Sequence, residues 1–336
     1  MHLKRPLQTA HGTLHERELV AVTLIDEDGV EGHGECAPLE SYDGVSIARA
    51  QSALARYERV LADAPRGLNG VQLIEACRRV EDLPQALAAI DMALWDRAGI
   101  RAGRPVAELL TDDPANEVVV NATIGATDRQ GAVDQTAKAM EEGFECIKLK
   151  VGAGDDAARV AAVRASAGPG TALRLDANGA WTVEQAVRMI DALAPVGLEL
   201  VEEPTHGLRG VREVRERVST RVAIDETAAE HGALGAGVAD AVCLKIGRCG
   251  GLSGLLAAAT LVRASGAEAY VSSTLDGPLG IAAGLHAAAA LASRGSVPAC
   301  GLATLRMFEG SVEDALPVRG GRIALPSVAG LGVEPL

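Results

Sequence analysis

Aromatic residues are nearly missing from this chain: two Phe, two Trp and three Tyr make up 2% of 336 residues. That leaves little on which nucleotide bases could stack. Basic charge is short as well, with 32 Lys and Arg against 45 Asp and Glu and a net charge of −13. A phosphate-binding surface needs clustered Lys and Arg, so no nucleic-acid partner is expected. None of the six cysteines forms a CxxC pair, and Cys243 with Cys249 lacks zinc-site spacing. Cys36, Cys77, Cys146, Cys243, Cys249 and Cys300 read as reduced thiols acting as small hydrophobes. The opening residues, MHLKRPLQTAHG, hold no apolar stretch of the secretory type. The apolar run GIAAGLHAAAALA at 280–292 is too short and Ala-rich to span a bilayer. A soluble cytoplasmic protein with no membrane partner is expected. No GxGxxG or Walker pattern opens a helix, which counts against a dinucleotide- or nucleotide-binding sheet.

What is present is an apolar fraction of 48% in a chain long enough for one large barrel or two domains. ELVAVTLIDEDGVEGHGECAP (18–38) reads as two strands joined by the polar turn DEDG. Helical periodicity follows over 46–62 and 83–100. Strands and then helices suggest an α+β cap over 1–115. From about Glu117 short β-rich runs alternate with amphipathic segments. Strand candidates are VVVNATI, CIKLKV, ALRLDA, LELVEE, RVAIDE, AVCLKI and EAYVSS, one for roughly every 25 residues. Seven or eight such units predict an α/β fold with a TIM-type βα barrel over 116–300. A tail over 301–336 is expected to pack back on the cap.

Acids sit where three consecutive apolar runs end: Asp176 in LRLDANGAW, Glu202 in LELVEEP and Asp225 in RVAIDE. Strand ends of a βα barrel face one rim, so the three carboxylates converge. Converging carboxylates repel unless a cation compensates, and oxygen donors suit Mg²⁺, with Mn²⁺ as a substitute. Glu203 and Glu226 adjoin these acids, and side-chain alternation turns them away, into a supporting role. Lys148 and Lys150 share one face of KLK, directed into the barrel. Like charges packed there are expected to lower a lysine pKa towards that of a base. Lys245, three strands further round, would face the substrate from the other side, with Glu226 orienting it. Arg174 and Asn178 share the interior face with Asp176, the first as a substrate contact or an ion-pair partner. A base, a metal and a second cation together suit proton abstraction next to a carboxylate.

Taken jointly, GECAPL (34–39), ALAAIDMALWDRAG (86–99), KLK, DANGAW, VEEP, IDE and LKIGRCGG resemble the signatures of the enolase superfamily, in its muconate-lactonizing-enzyme-like subgroup. The resemblance spans nearly the whole chain. It implies a (β/α)7β barrel under an N-terminal cap completed by the C-terminal tail. Asp176, Glu202 and Asp225 match the family's magnesium ligands, and Lys150 matches the general base. Lys148 would stabilise the enolate, and Lys245 matches the acid/base on the opposite face. Lysine on this strand argues against a histidine catalyst.

Within the subgroup, RLDANGAW, VSSTLDGPLGIAAGL (271–285) and ACGLATLRMFEG (299–310) are most similar to the o-succinylbenzoate synthases of menaquinone biosynthesis. That likeness implies a small-molecule carboxylate substrate, a carbon–oxygen lyase reaction and substrate contacts from Ser272, Ser273 and Thr274. His33 departs from the pattern, standing where an aromatic is common. HGTLHERE (11–18), read as the specificity loop of the cap, is not matched to a synthase. Relatives with the same catalytic residues racemise or epimerise N-acylamino acids and dipeptides, or cycloisomerise muconates. A catalytically silent barrel is the remaining class, and a homo-oligomer stays open.

Overall fold

A computed structural model describes residues 1–9, 12–125, 128–152 and 154–336. In the cap, Val20–Ile25 and Glu31–Cys36 pair antiparallel around Asp26–Gly29, with Gly29 at a left-handed φ of +73°. This is the hairpin that DEDG signals. The sequence does not announce a second one, His2–Thr9 against Gly12–Glu16. Most of the supposed specificity loop is therefore strand, and its His11 lies outside the described residues.

Three helices follow. Ser46 caps Ile47–Ala62 by accepting from Arg49 N–H, and Asn69 and Gln72 form a capping box on Gly70–Val80. Pro84–Ala102 lies so close along Glu31–Cys36 that a Cβ on Gly34 would collide with the Ala89 carbonyl. Only glycine permits that approach.

Seven parallel strands then run in chain order: Ala122–Ile124, Cys146–Lys150, Ala172–Asp176, Leu200–Glu202, Val222–Ile224, Ala241–Leu244 and Glu268–Val271. Cys300 and Gly301 take the eighth place, bridging in parallel to Val120 on one side and Ser272 on the other. Asn121 N–H reaches the Cys300 carbonyl at 3.0 Å and Gly301 N–H reaches that of Val271 at 2.8 Å, which closes the ring. The closing pair thus lies across the boundary expected between residues 300 and 301.

Among the described residues an α-helix follows six of these seven strands. Val222–Ile224 leads into two 3₁₀ turns, Glu226–Ala229 and Ala233–Gly235, where a helix would be regular. The apolar run at 280–292 forms Pro278–Ala292, buried from Pro278 to Leu291. It is an inner packing element. Among the described residues no helix is long and apolar enough to cross a membrane. Small aliphatic side chains fill the core, with Tyr57, Tyr270, Phe144 and Phe308 among its largest fully buried members. All six cysteines are free thiols, five of them buried.

VVVNATI is not one strand. Glu117–Val119 pairs antiparallel with Arg322–Ala324 of the tail, and only Ala122–Ile124 enters the barrel. The tail also meets the first hundred residues. Phe308 bridges to Leu3, and Leu331 N–H donates to Asp96 at 2.7 Å.

Candidate active site

Strand register sets the site. Lys150 pairs with Asp176, and Asp176 with Glu202, across three neighbouring strands. All three side chains therefore stand at one level of the rim. Asp225 follows directly on Val222–Ile224, and Lys245 on Ala241–Leu244. Asp176 and Glu202 are fully buried and Asp225 is 3% exposed, so all three carboxylates depend on neighbouring donors.

The lysines supply them. Lys148 Nζ lies 2.9 Å from Asp176 and 2.7 Å from Glu202, joining two of the acids. Lys150 Nζ donates to Asp176 at 2.6 Å and to the Asn178 side-chain oxygen at 2.8 Å. Lys245 Nζ is in contact with Asp225 and donates to the Tyr42 hydroxyl at 2.8 Å. Burial alone would lower Lys148 and Lys245. The carboxylates outweigh it, Asp176 and Glu202 for the first and Asp225 for the second, and both amines are raised above the ordinary lysine range. For Lys148 this corrects the expectation that crowding within KLK would lower it. Burial would raise Asp176, but Lys148 and Lys150 hold it below the usual carboxylate range. Asp225 is likewise held down, by Lys245 against its burial. In Glu202 burial prevails over the pull of Lys148, and the acid is pushed up.

Supporting roles fall differently from the expectations. Glu203, in the left-handed region at φ +41°, accepts the backbone N–H of Asp225 at 2.8 Å and that of Thr227 at 3.1 Å. It thus fixes the turn that carries Asp225. Glu226 acts on Lys245 by its charge, which helps to raise that amine, and its hydrogen bond goes elsewhere. Its carboxylate accepts from the Asn178 amide at 2.9 Å, which holds Asn178 towards Lys150. Arg174 is corrected as well. It lies two residues below Asp176, is 1% exposed, and donates to Glu199 at 2.7 and 2.9 Å and to the Ala299 carbonyl at 2.6 Å. An arginine so engaged in the barrel interior does not line the cavity.

Tyrosine is what sequence reasoning missed. Tyr42, carried in by the cap, donates to Asp225 at 2.7 Å, and its ring lies 4.6 Å from Lys245 Nζ. Arg248 donates to the same hydroxyl at 2.6 Å. Tyr270 donates to Glu202 at 2.7 Å. Two of only three tyrosines in the chain therefore touch the acidic triad, and that scarcity was the available signal.

Above the charges lies a cavity of about 140 Å³. Lys148, Lys150, Lys245, Asn178 and Asp225 form its floor. Ser272, Ser273, Thr274 and Thr304 give it hydroxyls, while Leu7, Leu39, Leu275 and Met307 make an apolar wall. The three expected substrate contacts on the Ser272–Thr274 loop thus face the space beside both lysines.

The donor set fits a divalent cation. Oxygens of Glu202 and Asp225 lie within 4.8 Å of each other and of the Cys243 sulfur. Burial raises the Cys243 thiol well above its ordinary value, so it stays neutral and suits a hard cation poorly. Asp176 stands outside that close group, joined to Glu202 through the shared Lys148 amine; with it the three acids would offer the all-oxygen donors that Mg²⁺ or Mn²⁺ prefers.

Residues 131–336 match the family model described as "Enolase C-terminal domain-like", and residues 1–111 match that of the mandelate racemase / muconate lactonizing enzyme N-terminal domain. The chain belongs to the enolase superfamily. Among its superfamily relatives, a hydrophobic dipeptide epimerase of Enterococcus faecalis is 32% identical over 349 residues, covering 99% of this chain and 96% of that protein. An o-succinylbenzoate synthase of Thermobifida fusca is 40% identical over 227 residues, covering 64% of this chain and 69% of that one. The solved dipeptide epimerase of Enterococcus faecalis V583, complexed with Mg and the dipeptide L-Leu-L-Tyr, superposes with a TM-score of 0.89 at 29% identity. It covers 99% of this chain and 96% of its own.

Proposed function

We propose that this enolase-superfamily enzyme removes the proton α to the carboxylate of a small-molecule substrate, and that its reaction is dehydration to o-succinylbenzoate. Asp176, Glu202 and Asp225 would hold Mg²⁺, which when bound supplies positive charge for the carboxylate as it becomes an enediolate. Lys150, steered by Asn178, takes the α-proton. The electron pair of the broken C–H bond forms the double bond, and the C–O bond on the neighbouring carbon breaks. Lys150 returns its proton to the departing hydroxide, which leaves as water. Lys245 holds its charge over the other face of the substrate throughout.

One observation supports a substrate without a free ammonium. Among the described residues that line the cavity the sole carboxylate is Asp225, already placed in the metal set, and the far wall is apolar or hydroxylic. A dipeptide would bring a free ammonium with no acid among the lining residues left to receive it, whereas a cyclic hydroxy acid, like an N-acylamino acid, brings none, so this counts against a dipeptide alone. The likeness to the Thermobifida fusca synthase supports the same reading. With Mg²⁺ and the cyclic hydroxy acid, loss of the tertiary alcohol is expected to be followed optically. No turnover above the uncatalysed rate would remove this reading.

A second reading is racemisation or epimerisation of N-acylamino acids or dipeptides. The epimerases that match the full chain favour it, as does the placing of Lys150 and Lys245 on opposing strands. In deuterated water such an enzyme would label both enantiomers at the α-carbon, and a dehydratase would form product instead.

A further inference from the structure

A second buried charge cluster lies where the cap meets the loop after the seventh barrel strand. Glu35 of the cap is 5% exposed, Arg17 of the cap 4% and Asp276 of the loop 2%. Glu35 accepts Gly277 N–H at 2.6 Å and is hydrogen-bonded by Gly280 N–H as well. Those are donors at the start of the buried helix Pro278–Ala292, which has no side-chain cap of its own. A residue from the cap domain thus terminates a barrel helix, and a Cβ on Gly277 would run into its carboxylate.

Arg17 holds the other side. Its guanidinium donates to the carbonyls of Pro38 at 2.7 Å and Ala37 at 3.0 Å within the cap, and to that of Leu275 at 3.3 Å in the loop. Leu275 has a left-handed φ of +61°, a conformation that persists only where surroundings enforce it. Asp276 accepts the Thr274 hydroxyl at 2.9 Å. Ser272, Ser273, Thr274 and Leu275 all line the active cavity, while Arg17 and Glu35 do not. The substrate-facing loop is therefore shaped from behind by two buried polar groups of another domain. Burial and the neighbouring Asp276 push the Glu35 carboxyl up to about 8, so near neutrality it can hold a proton and leave a single negative charge opposite Arg17.

We propose that Arg17 and Glu35 are positioning residues for catalysis: they latch the cap to the Ser272–Leu275 loop and set the wall against which substrate lies. The proposal rests on the function above only for the identity of what is positioned. A purely structural cluster would cost stability without moving substrate affinity, and that difference supplies the test.

Glu35→Ala and Arg17→Met are compared with Glu35→Gln, which keeps an acceptor oxygen for the helix. In the first two, amides of residues 272–280 are expected to exchange with deuterium about tenfold faster, while those of Val222–Ile224 keep the wild-type rate. KM should rise about tenfold with kcat within about threefold, and Glu35→Gln should restore both. Unchanged exchange in the loop, an equal rise throughout the barrel, or a loosened loop with wild-type KM would each overturn the latch. Should Glu35→Ala fail to fold, Arg17→Met carries the same comparison. If wild-type protein turns over neither the hydroxy acid nor N-acylamino acids, the proposed function falls, and loop exchange alone decides the latch.

Discussion

Lys150 and Lys245 face each other across the barrel. Lys150 ends the second of eight strand places and Lys245 follows the sixth, four places apart in a closed ring. The count from KLK is four, one more than the sequence reading gave, and four of eight is the diameter. Both amines border the same cavity, so a planar intermediate bound between them, as proposed, would have a lysine on each face.

Substituting the two lysines therefore separates two roles. Lys150→Ala should lower turnover by about 10²–10⁴-fold, the usual contribution of a positioned general base. Lys245→Ala should still permit α-proton exchange in deuterated water through Lys150. Under dehydration the product forms slowly in that variant. Under racemisation, exchange is lost from one enantiomer and kept in the other. Equal loss of exchange in both enantiomers for Lys245→Ala would contradict this division of roles.

Metal removal should cost stability as well as activity. A ligand bound only by the folded state adds about 2.7 kcal/mol at a hundred times its Kd. Mg²⁺ is accordingly expected to raise the melting temperature of wild-type protein, and a chelator to reverse it. In Asp176→Asn the shift should vanish. The variant should also melt lower than wild type without metal, since Lys148 and Lys150 lose the carboxylate they share. An undiminished Mg²⁺ shift in that variant would take Asp176 out of the ligand set.

Much of this site was readable because each feature is local to a strand end. Strand register turns sequence spacing into geometry, so Lys150, Asp176 and Glu202 had to meet once three parallel strands followed one another. Contacts made across domains carry no such spacing. Tyr42 reaches Asp225 across 183 residues, and Glu35 reaches Gly277 across 242. Nothing periodic links either pair. VVVNATI misled for a related reason, since its first residues pair with tail residues some 200 positions later. Arg174 misled because alternation gives the face of a strand and not the direction of a long side chain. It turned aside to Glu199. The carboxylates of Asp176 and Glu202 that raise Lys148 were likewise out of view while only its like-charged neighbour in KLK was counted.

Acid should loosen the fold through His286. Its Nδ1 accepts Ala107 N–H at 3.1 Å and its Nε2 donates to the Leu331 carbonyl at 3.1 Å, so the ring is held neutral between them. Burial pushes its pKa down to about 4 from 6.5. The folded value is depressed, so this contribution is present above pH 6.5 and lost as pH falls through about 4. It amounts to about 3 kcal/mol. Glu35 has the opposite sign. Its carboxyl is raised to about 8, so its contribution fades as pH rises from 4.5 to 8. The difference in urea unfolding between wild type and His286→Gln isolates the histidine. It should shrink steadily from pH 7 to pH 4, and a constant difference would refute the assignment.

Arg174→Met tests the correction to the sequence reading. Removing one partner of a buried pair leaves the other without its counter-ion, at a cost of about 3–5 kcal/mol, less where the survivor still meets water. Glu199 keeps 25% of its side chain exposed, so the lower part of that range is expected. Methionine retains much of the volume beneath Tyr270, whose ring lies 5.2 Å from the guanidinium. The site above rests on Lys148, Glu202 and the strand register, none of which needs Arg174. Folded Arg174→Met should therefore melt lower than wild type with KM within about twofold, because no uniform substrate binding has been removed. A large rise in KM without loss of stability would return Arg174 to the substrate.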